Sequence, residues 1–236
     1  MERRSIETIM ESLNRAGARY LVGGGLAVGA HGFLRFTAGI DLVLDPEPGA
    51  TRRAIEALSG LGYRPRAPVA FAEFADPDKR RAWAREKDLM VFSVFSSEHP
   101  ATEIDLFVGT PFDFERAYAE AERFEVAPGV EATFVGPADL IAMKRRAGRP
   151  QDLQDVAGLE SAPRAKRERD AEPDPREGQL WESGWQGHSD AQRARLARLP
   201  LREKLRWLEE AQHLLHQLRR GPGPRRDGSH PPVPGR

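Results

Sequence analysis

Apolar positions in residues 1–160 alternate between helical spacing and short continuous runs, a mixture that indicates an α/β or α+β fold. Apolar residues at three- and four-residue steps predict an opening helix over 5–16: Ile6, Ile9, Met10 and Leu13. Short runs rich in β-branched and aromatic residues predict strands at 20–22, 40–44, 89–95, 104–108, 124–126 and 130–134. Further helices are expected at 26–33, 51–61, 112–122, 137–146 and 150–159. We therefore expect a small central mixed sheet flanked by helices.

The composition changes after residue 160, which divides the chain into two parts. Residues 1–160 hold 20 Lys and Arg against 25 Asp and Glu, whereas residues 161–236 hold 16 against 11. Residues 161–178 contain charges and prolines and almost no large apolar side chain, and we predict a flexible linker over 161–188. Residues 221–236 contain 5 Pro and 4 Gly, which predicts a disordered tail.

Between the predicted linker and tail, residues 189–220 have a helical pattern. Five leucines form an apolar stripe along this segment: Leu201, Leu205, Leu208, Leu215 and Leu218. An isolated stripe must pack on something, so the segment either docks on residues 1–160, self-associates or binds a partner.

Composition excludes several classes of site. The chain has no cysteine, which rules out disulfides, thiol nucleophiles, Fe–S clusters and cysteine-bearing zinc sites. No run approaches the 18 apolar residues of a membrane span, and the N-terminus lacks the continuous apolar core of a secretory signal. We expect a cytoplasmic protein that does not contact a membrane.

A strand followed by three glycines and a helix marks the first candidate site. Gly23, Gly24 and Gly25 directly follow the strand at 20–22. Glycines in that position let backbone N–H groups approach an anion such as a phosphate. A tight turn alone produces the same pattern, and both interpretations are open at this point.

Two carboxylates inside apolar strands mark the second candidate site. Asp41 lies within 40–44, and Asp105 lies within 104–108. A carboxylate in an apolar strand is costly unless it is paired or binds a cation. Carboxylates on adjacent strands lie about 5 Å apart and suit Mg²⁺, whereas an Asp–Arg pair is the structural alternative.

Residues 15–160 resemble the nucleotidyltransferases of the DNA polymerase β superfamily, and most of all the minimal and AbiEii-like branch of type IV toxin–antitoxin systems. That branch has GG, a helix with HG, then R-x-T-x-D-x-D, a later strand Asp, and K…R-x-x-D-x-x-D. The matching residues here are Gly23, Gly24, His31, Gly32, Arg35, Thr37, Asp41, Asp105, Lys144, Arg149, Asp152 and Asp155.

The resemblance implies transfer of a nucleoside monophosphate from an NTP such as ATP to a hydroxyl of a protein or RNA, in a toxin–antitoxin or phage-defence setting. It makes Asp41 and Asp105 the catalytic metal ligands for Mg²⁺ or Mn²⁺. It assigns nucleotide binding to six residues: Gly23, Gly24, Gly25, Arg35, Thr37 and Lys144. The implied partner is an antitoxin, or the chain's own C-terminal helices in its place.

Position 39 departs from the pattern of the family, because Gly39 stands where the first strand aspartate is expected. Glu103 lies two residues before Asp105 on the same strand face and is the candidate replacement ligand. Otherwise a single metal suffices, or the chain is a catalytically inactive binding module. If residue 39 is extended, we expect Gly39→Asp to cost little folding free energy.

Other residues of the pattern also have structural interpretations. We expect His31 to pack inside its helix rather than to transfer protons. Arg35 either contacts phosphate or pairs with Asp41. Lys144 either contacts a triphosphate or joins three residues in an ion-paired brace between two helices: Arg149, Asp152 and Asp155.

Overall fold

The computed structural model describes residues 1–161 and 195–219. The predicted tail, and the predicted linker apart from its first residue, lie outside the described residues. The described strands are β1 (Tyr20–Val22), β2 (Gly39–Leu44), β3 (Arg64–Pro65), β4 (Val91–Phe95), β5 (Glu103–Phe107), β6 (Glu122–Ala127) and β7 (Val130–Phe134). The helices are α1 (Arg3–Arg15), α2 (Gly24–Ala30), α3 (Pro48–Gly60), α4 (Pro77–Lys87), α5 (Phe114–Ala119), α6 (Pro137–Ala147), α7 (Pro150–Ser161) and α8 (Leu201–Arg219), with a 3₁₀ helix at Phe71–Ala75.

One mixed sheet organises these elements, in the order β3-β4-β5-β2-β1-β7-β6. β2 and β5 are parallel neighbours at its centre, and β1 and β7 are also parallel. The remaining neighbours are antiparallel. The predicted fold class, an α+β domain with a central mixed sheet flanked by helices, is confirmed.

Local signals account for most element boundaries. α3 begins at Pro48, and the Glu47 side chain caps it by accepting hydrogen bonds from two backbone N–H groups. The β6–β7 hairpin turns at Gly129, where φ is +76°. The predicted helix at 112–122 is shorter than expected, because the chain enters β6 at Glu122.

The sequence patterns missed three elements between residues 62 and 88: β3, the 3₁₀ helix and α4. The α4 segment PDKRRAWAREK is mostly polar and has no apolar stripe, although its capping signal is present. The Asp76 side chain accepts hydrogen bonds from the N–H groups of Asp78 and Lys79. Trp83 stacks on Phe92 of β4, with ring centroids 5.4 Å apart, and fastens α4 to the sheet.

Helix α8 packs on the body formed by residues 1–161, against β6, α1 and α2. Leu201, Leu205 and Leu208 are buried in this contact. Lys204 is also buried, and its Nζ donates to the backbone O of Gly29 at 3.4 Å. At the rim, Arg202 pairs with Glu125 at 3.0 Å. In the described ranges, no helix is long and apolar enough to cross a membrane.

We expect Leu205→Ala to lower the free energy of unfolding by about 2–5 kcal/mol, because Leu205 is 3% exposed and its removal leaves a cavity under α8. Leu214→Ala on the same helix is the matched control, since Leu214 is 58% exposed. Urea unfolding of both variants measures the difference. Equal stability of the two variants would contradict the packing of α8.

Candidate functional site

The two strand carboxylates meet at the centre of the sheet. The register of the parallel strands β2 and β5 sets Asp41 opposite Asp105. Adjacent strands lie about 4.8 Å apart, and side chains at paired positions project from the same face. Both residues are partly exposed. The expected juxtaposition is therefore present.

Ser93 of β4 completes this row and was not predicted from the sequence. It is paired in register with Asp105, and its Oγ donates to Asp105 Oδ1 at 2.5 Å. The only sequence signal was a hydroxyl in an otherwise apolar run, VFSVF. Ser93 therefore holds one carboxylate oxygen of Asp105 in place.

The glycine turn is built around Asp41. Gly24 has φ +58°, and a Cβ at that position would lie 1.7 Å from Asp41 Oδ2. The Gly25 N–H donates a hydrogen bond to the Asp41 carboxylate, and the Gly23 N–H donates to the backbone O of Asp41 at 2.8 Å. The glycines thus serve at least to admit this carboxylate.

Arg35 and Thr37 lie over the same turn. A Cβ at Gly25 would be 2.8 Å from Thr37 Oγ1 and 2.9 Å from Arg35 Nη2. Arg35 does not pair with Asp41: its Nε and Nη2 donate to the two carboxylate oxygens of Asp155, at 2.7 and 2.9 Å. The alternative of an Arg35–Asp41 ion pair is therefore wrong.

Lys144 forms the predicted brace between α6 and α7. Its Nζ lies 2.8 Å from Asp152 Oδ1 and 2.8 Å from Asp155 Oδ2. The pKa of Asp155 lies below its ordinary value. Burial by itself would raise this pKa, but the hydrogen bonds from Arg35 and Lys144 outweigh the effect of burial. Arg149 is exposed and is not part of the brace. The brace thus ties the Arg35 loop to both helices.

Asp41 and Asp105 differ from the neighbouring acids in their charge partners. Asp152 and Asp155 are paired with Lys144 and Arg35, whereas neither strand carboxylate forms a salt bridge within the described residues. Burial and the charge of Asp105 raise the pKa of Asp41 to about 6, against the opposing effects of Lys144, Arg35 and the Gly25 N–H.

Four carboxylates and two cations lie together here: Asp41, Asp105, Asp152, Asp155, Lys144 and Arg35. Together they carry a net charge of −2. That charge favours a bound divalent cation.

Gly39 and Glu103 face each other in the same register, two residues before the carboxylate pair. Glu103 forms an ion pair with Arg66. A Cβ at residue 39 would lie only 2.9 Å from the backbone O of Glu103. The expectation that Gly39→Asp costs little is therefore wrong, because the two strands approach too closely there for a side chain.

The metal set of Asp41, Asp105 and Glu103 stays a prediction. Among the described residues, no group of three His, Asp or Glu side chains stands ready to hold a metal ion. Glu103 would have to leave Arg66 to join the pair. The pair alone suits a single Mg²⁺, which proteins commonly bind through one or two carboxylates together with substrate phosphates.

His31 packs in the core, as expected. Its ring meets Phe124 edge to face at 5.5 Å, and Nε2 lies 2.7 Å from the backbone O of Val135. Because a carbonyl only accepts, Nε2 carries the proton in this contact. Burial lowers the pKa of His31, so the ring is held neutral.

Comparisons with known proteins add little to this geometry. No protein-family model and no curated protein matches the chain. The solution structure of the antibiotic-resistance factor ANT(2'')-Ia is similar, with a TM-score of 0.38 and 17% identity over 92% of this chain and 94% of that chain.

We expect Asp41→Asn to stabilise the metal-free protein by about 3 kcal/mol at pH 8. The folded-state pKa of about 6 exceeds the ordinary value of 3.8, so the cost of ionising Asp41 in the folded protein grows between about pH 4 and pH 6 and is constant above pH 6. This cost disappears as the pH falls toward 4, where wild type and variant should converge. Urea unfolding in EDTA across this range measures the difference, and a pH-independent gap would contradict it.

We expect Gly24→Ala to lower the free energy of unfolding by at least about 2 kcal/mol, because alanine is strained at φ +58° and its Cβ collides with Asp41. Gly23→Ala is the matched control, since its nearest neighbour would be Met143 Cε at 3.7 Å. Thermal melts compare the two variants. Equal melting temperatures would show that residue 24 tolerates a Cβ next to Asp41.

Proposed function

We propose that this chain is a nucleotidyltransferase-type protein that binds a nucleotide through a divalent cation held by Asp41 and Asp105. One observation carries the proposal: two register-paired carboxylates on adjacent central strands have no cationic partner within the described residues. Every neighbouring buried aspartate has one, including Asp45, which pairs with Arg19 at 3.0 Å. A carboxylate pair without a cationic partner is suited to bind a divalent cation that enters together with the nucleotide.

The chain's own residues fix the geometry of the pair. Gly24 and the Gly25 N–H hold Asp41, and Ser93 holds Asp105. A bound Mg²⁺ or Mn²⁺ would supply charge neutralisation and orientation for phosphate oxygens at this position. No side-chain nucleophile is required for this class of reaction, because positioning and charge stabilisation carry most of it.

Arg35, Thr37 and Lys144 have different roles in this proposal. The positive charges of Arg35 and Lys144 are matched by Asp155 and Asp152, so we assign both to positioning the turn. Thr37 Oγ1 bonds weakly to the backbone O of Gly39 at 3.3 Å, which leaves its hydroxyl able to turn toward a phosphate.

The finer activity rests on the sequence resemblance. It is transfer of a nucleoside monophosphate from an NTP to a hydroxyl of a protein or RNA, in a toxin–antitoxin or phage-defence setting. A binding module without catalysis is the second candidate. Gly39 favours it, because the strand spacing there excludes the side chain that the family pattern places at that position.

Both candidate functions require metal-dependent nucleotide binding, which a melting experiment tests. We expect Mg²⁺ with ATP to raise the melting temperature of the wild type, because a ligand of the native state stabilises it. Asp105→Asn should abolish the shift. Asp88→Asn is the control, since this exposed residue at φ +50° accepts asparagine readily. If Mg²⁺ with ATP raises the melting temperature of Asp105→Asn as much as that of the wild type, the Asp41–Asp105 pair does not hold the metal.

An assay of nucleotidyl transfer distinguishes the enzyme from the binding module. Purified protein is incubated with Mg²⁺ or Mn²⁺, labelled NTPs and a cell lysate as the source of acceptors. Labelling that falls at least about 100-fold in Asp105→Asn supports an enzyme, given the usual size of lost transition-state stabilisation. Metal-dependent binding without any labelling supports the binding module. Glu103→Gln reports whether that residue joins the metal.

A further inference from the structure

A cavity lies beyond the carboxylate pair, where β2 and β5 end against α4. Its volume is about 330 Å³. Apolar walls come from the ends of both strands and from the 3₁₀ helix: Leu44, Phe107, Val108 and Phe74. Arg80 and Arg81 of α4 also line it. The cavity therefore combines an apolar interior with two guanidinium groups.

Arg80 is a buried cation whose hydrogen bonds all go to neutral groups. It is 8% exposed. Its Nη1 donates to Phe74 O at 2.9 Å and to Thr51 Oγ1 at 3.3 Å, and its Nη2 donates to Pro46 O at 3.0 Å. Nε and one Nη2 N–H have no acceptor in the part of the chain that the structure describes. Two of the five donors of Arg80 thus remain for a ligand.

The acids around Arg80 are committed elsewhere. Asp78 pairs with Arg81, and the Asp76 carboxylate accepts hydrogen bonds from backbone N–H groups at the start of α4. Over residues 1–161 and 195–219, Arg80 forms no salt bridge. Buried charges in proteins are ordinarily paired. Arg80 therefore has no ion-pair partner among the described residues, and the Asp76 carboxylate acts on it only through a longer-range electrostatic attraction.

We propose that this cavity is a binding site for a small organic monocarboxylate with an aliphatic or aromatic body. The carboxylate accepts hydrogen bonds from the unused N–H donors of Arg80, and the apolar body packs against Phe74 and Phe107. One buried guanidinium that forms no ion pair within the described residues fits a monoanion. A volume of about 330 Å³ lies at the small end of ligand pockets.

Octanoate is the probe, and octanamide and acetate are its matched controls. Octanamide keeps the apolar body without the charge, and acetate keeps the charge without the body. Titration calorimetry on the full chain should give one octanoate site, with octanamide and acetate at least tenfold weaker. Equal affinity for octanamide, or no octanoate binding at millimolar concentration, would overturn the proposal and leave Arg80 as a tie between loop carbonyls.

Three variants locate the site. Ala84 lines the cavity and is exposed, so Ala84→Phe should fill it and abolish binding without disturbing the fold. Arg80→Gln should weaken octanoate at least tenfold while leaving octanamide unchanged. If Arg80→Gln does not fold, Ala84→Phe still decides the question. Arg85→Gln, an exposed change on the same helix, should bind like the wild type. Full octanoate binding by Ala84→Phe would place the ligand elsewhere.

Discussion

The parallel pairing of β2 with β5 is the constraint on which the rest of the site depends. It sets two carboxylates side by side in the middle of a sheet, where burial and the charge of Asp105 oppose ionisation of Asp41. Side chains and backbone around them relieve part of that cost. Gly24 makes room for Asp41, the Gly25 N–H donates to it, and Ser93 donates to Asp105. What remains is a net negative charge that a cation would neutralise.

The ion-paired brace explains why the nearest cations do not neutralise that charge. Lys144 and Arg35 converge on Asp155, whose carboxylate is completely buried, and so both are fully committed. The brace connects α6, α7 and the loop before β2, which in turn carries Thr37 over the glycine turn. A buried charge network of this kind holds its members strongly, because breaking one contact leaves an unpaired charge in the interior.

The arginines of the described residues differ in whether a carboxylate binds them. Arg19 and Arg35 form salt bridges with carboxylates. The hydrogen bonds of Arg80 go to carbonyl and hydroxyl oxygens instead, and its guanidinium lies 5.5 Å from the centroid of the Phe74 ring. Asp41, Asp105 and Arg80 are thus charged groups that form no salt bridge within the described residues. Asp41 and Asp105 lie on β2 and β5, and the cavity lined by Arg80 of α4 is bounded by the ends of the same strands. The two central strands thus carry both candidate binding sites.

Local sequence determined the elements that have strong periodicity or capping signals, including α1, β1 and the β6–β7 hairpin. It also indicated Asp41 and Asp105, because a carboxylate within an apolar run stands out without any structure. α4 was missed because its polar sequence is held by tertiary contacts, namely the stacking of Trp83 on Phe92 and the hydrogen bonds of the buried Arg80. Tertiary structure alone decided that Arg35 pairs with Asp155, 120 residues away, and that Gly39 abuts the Glu103 backbone. Pairing partners and strand spacing depend on distances between remote segments, and a linear pattern of residues does not contain them.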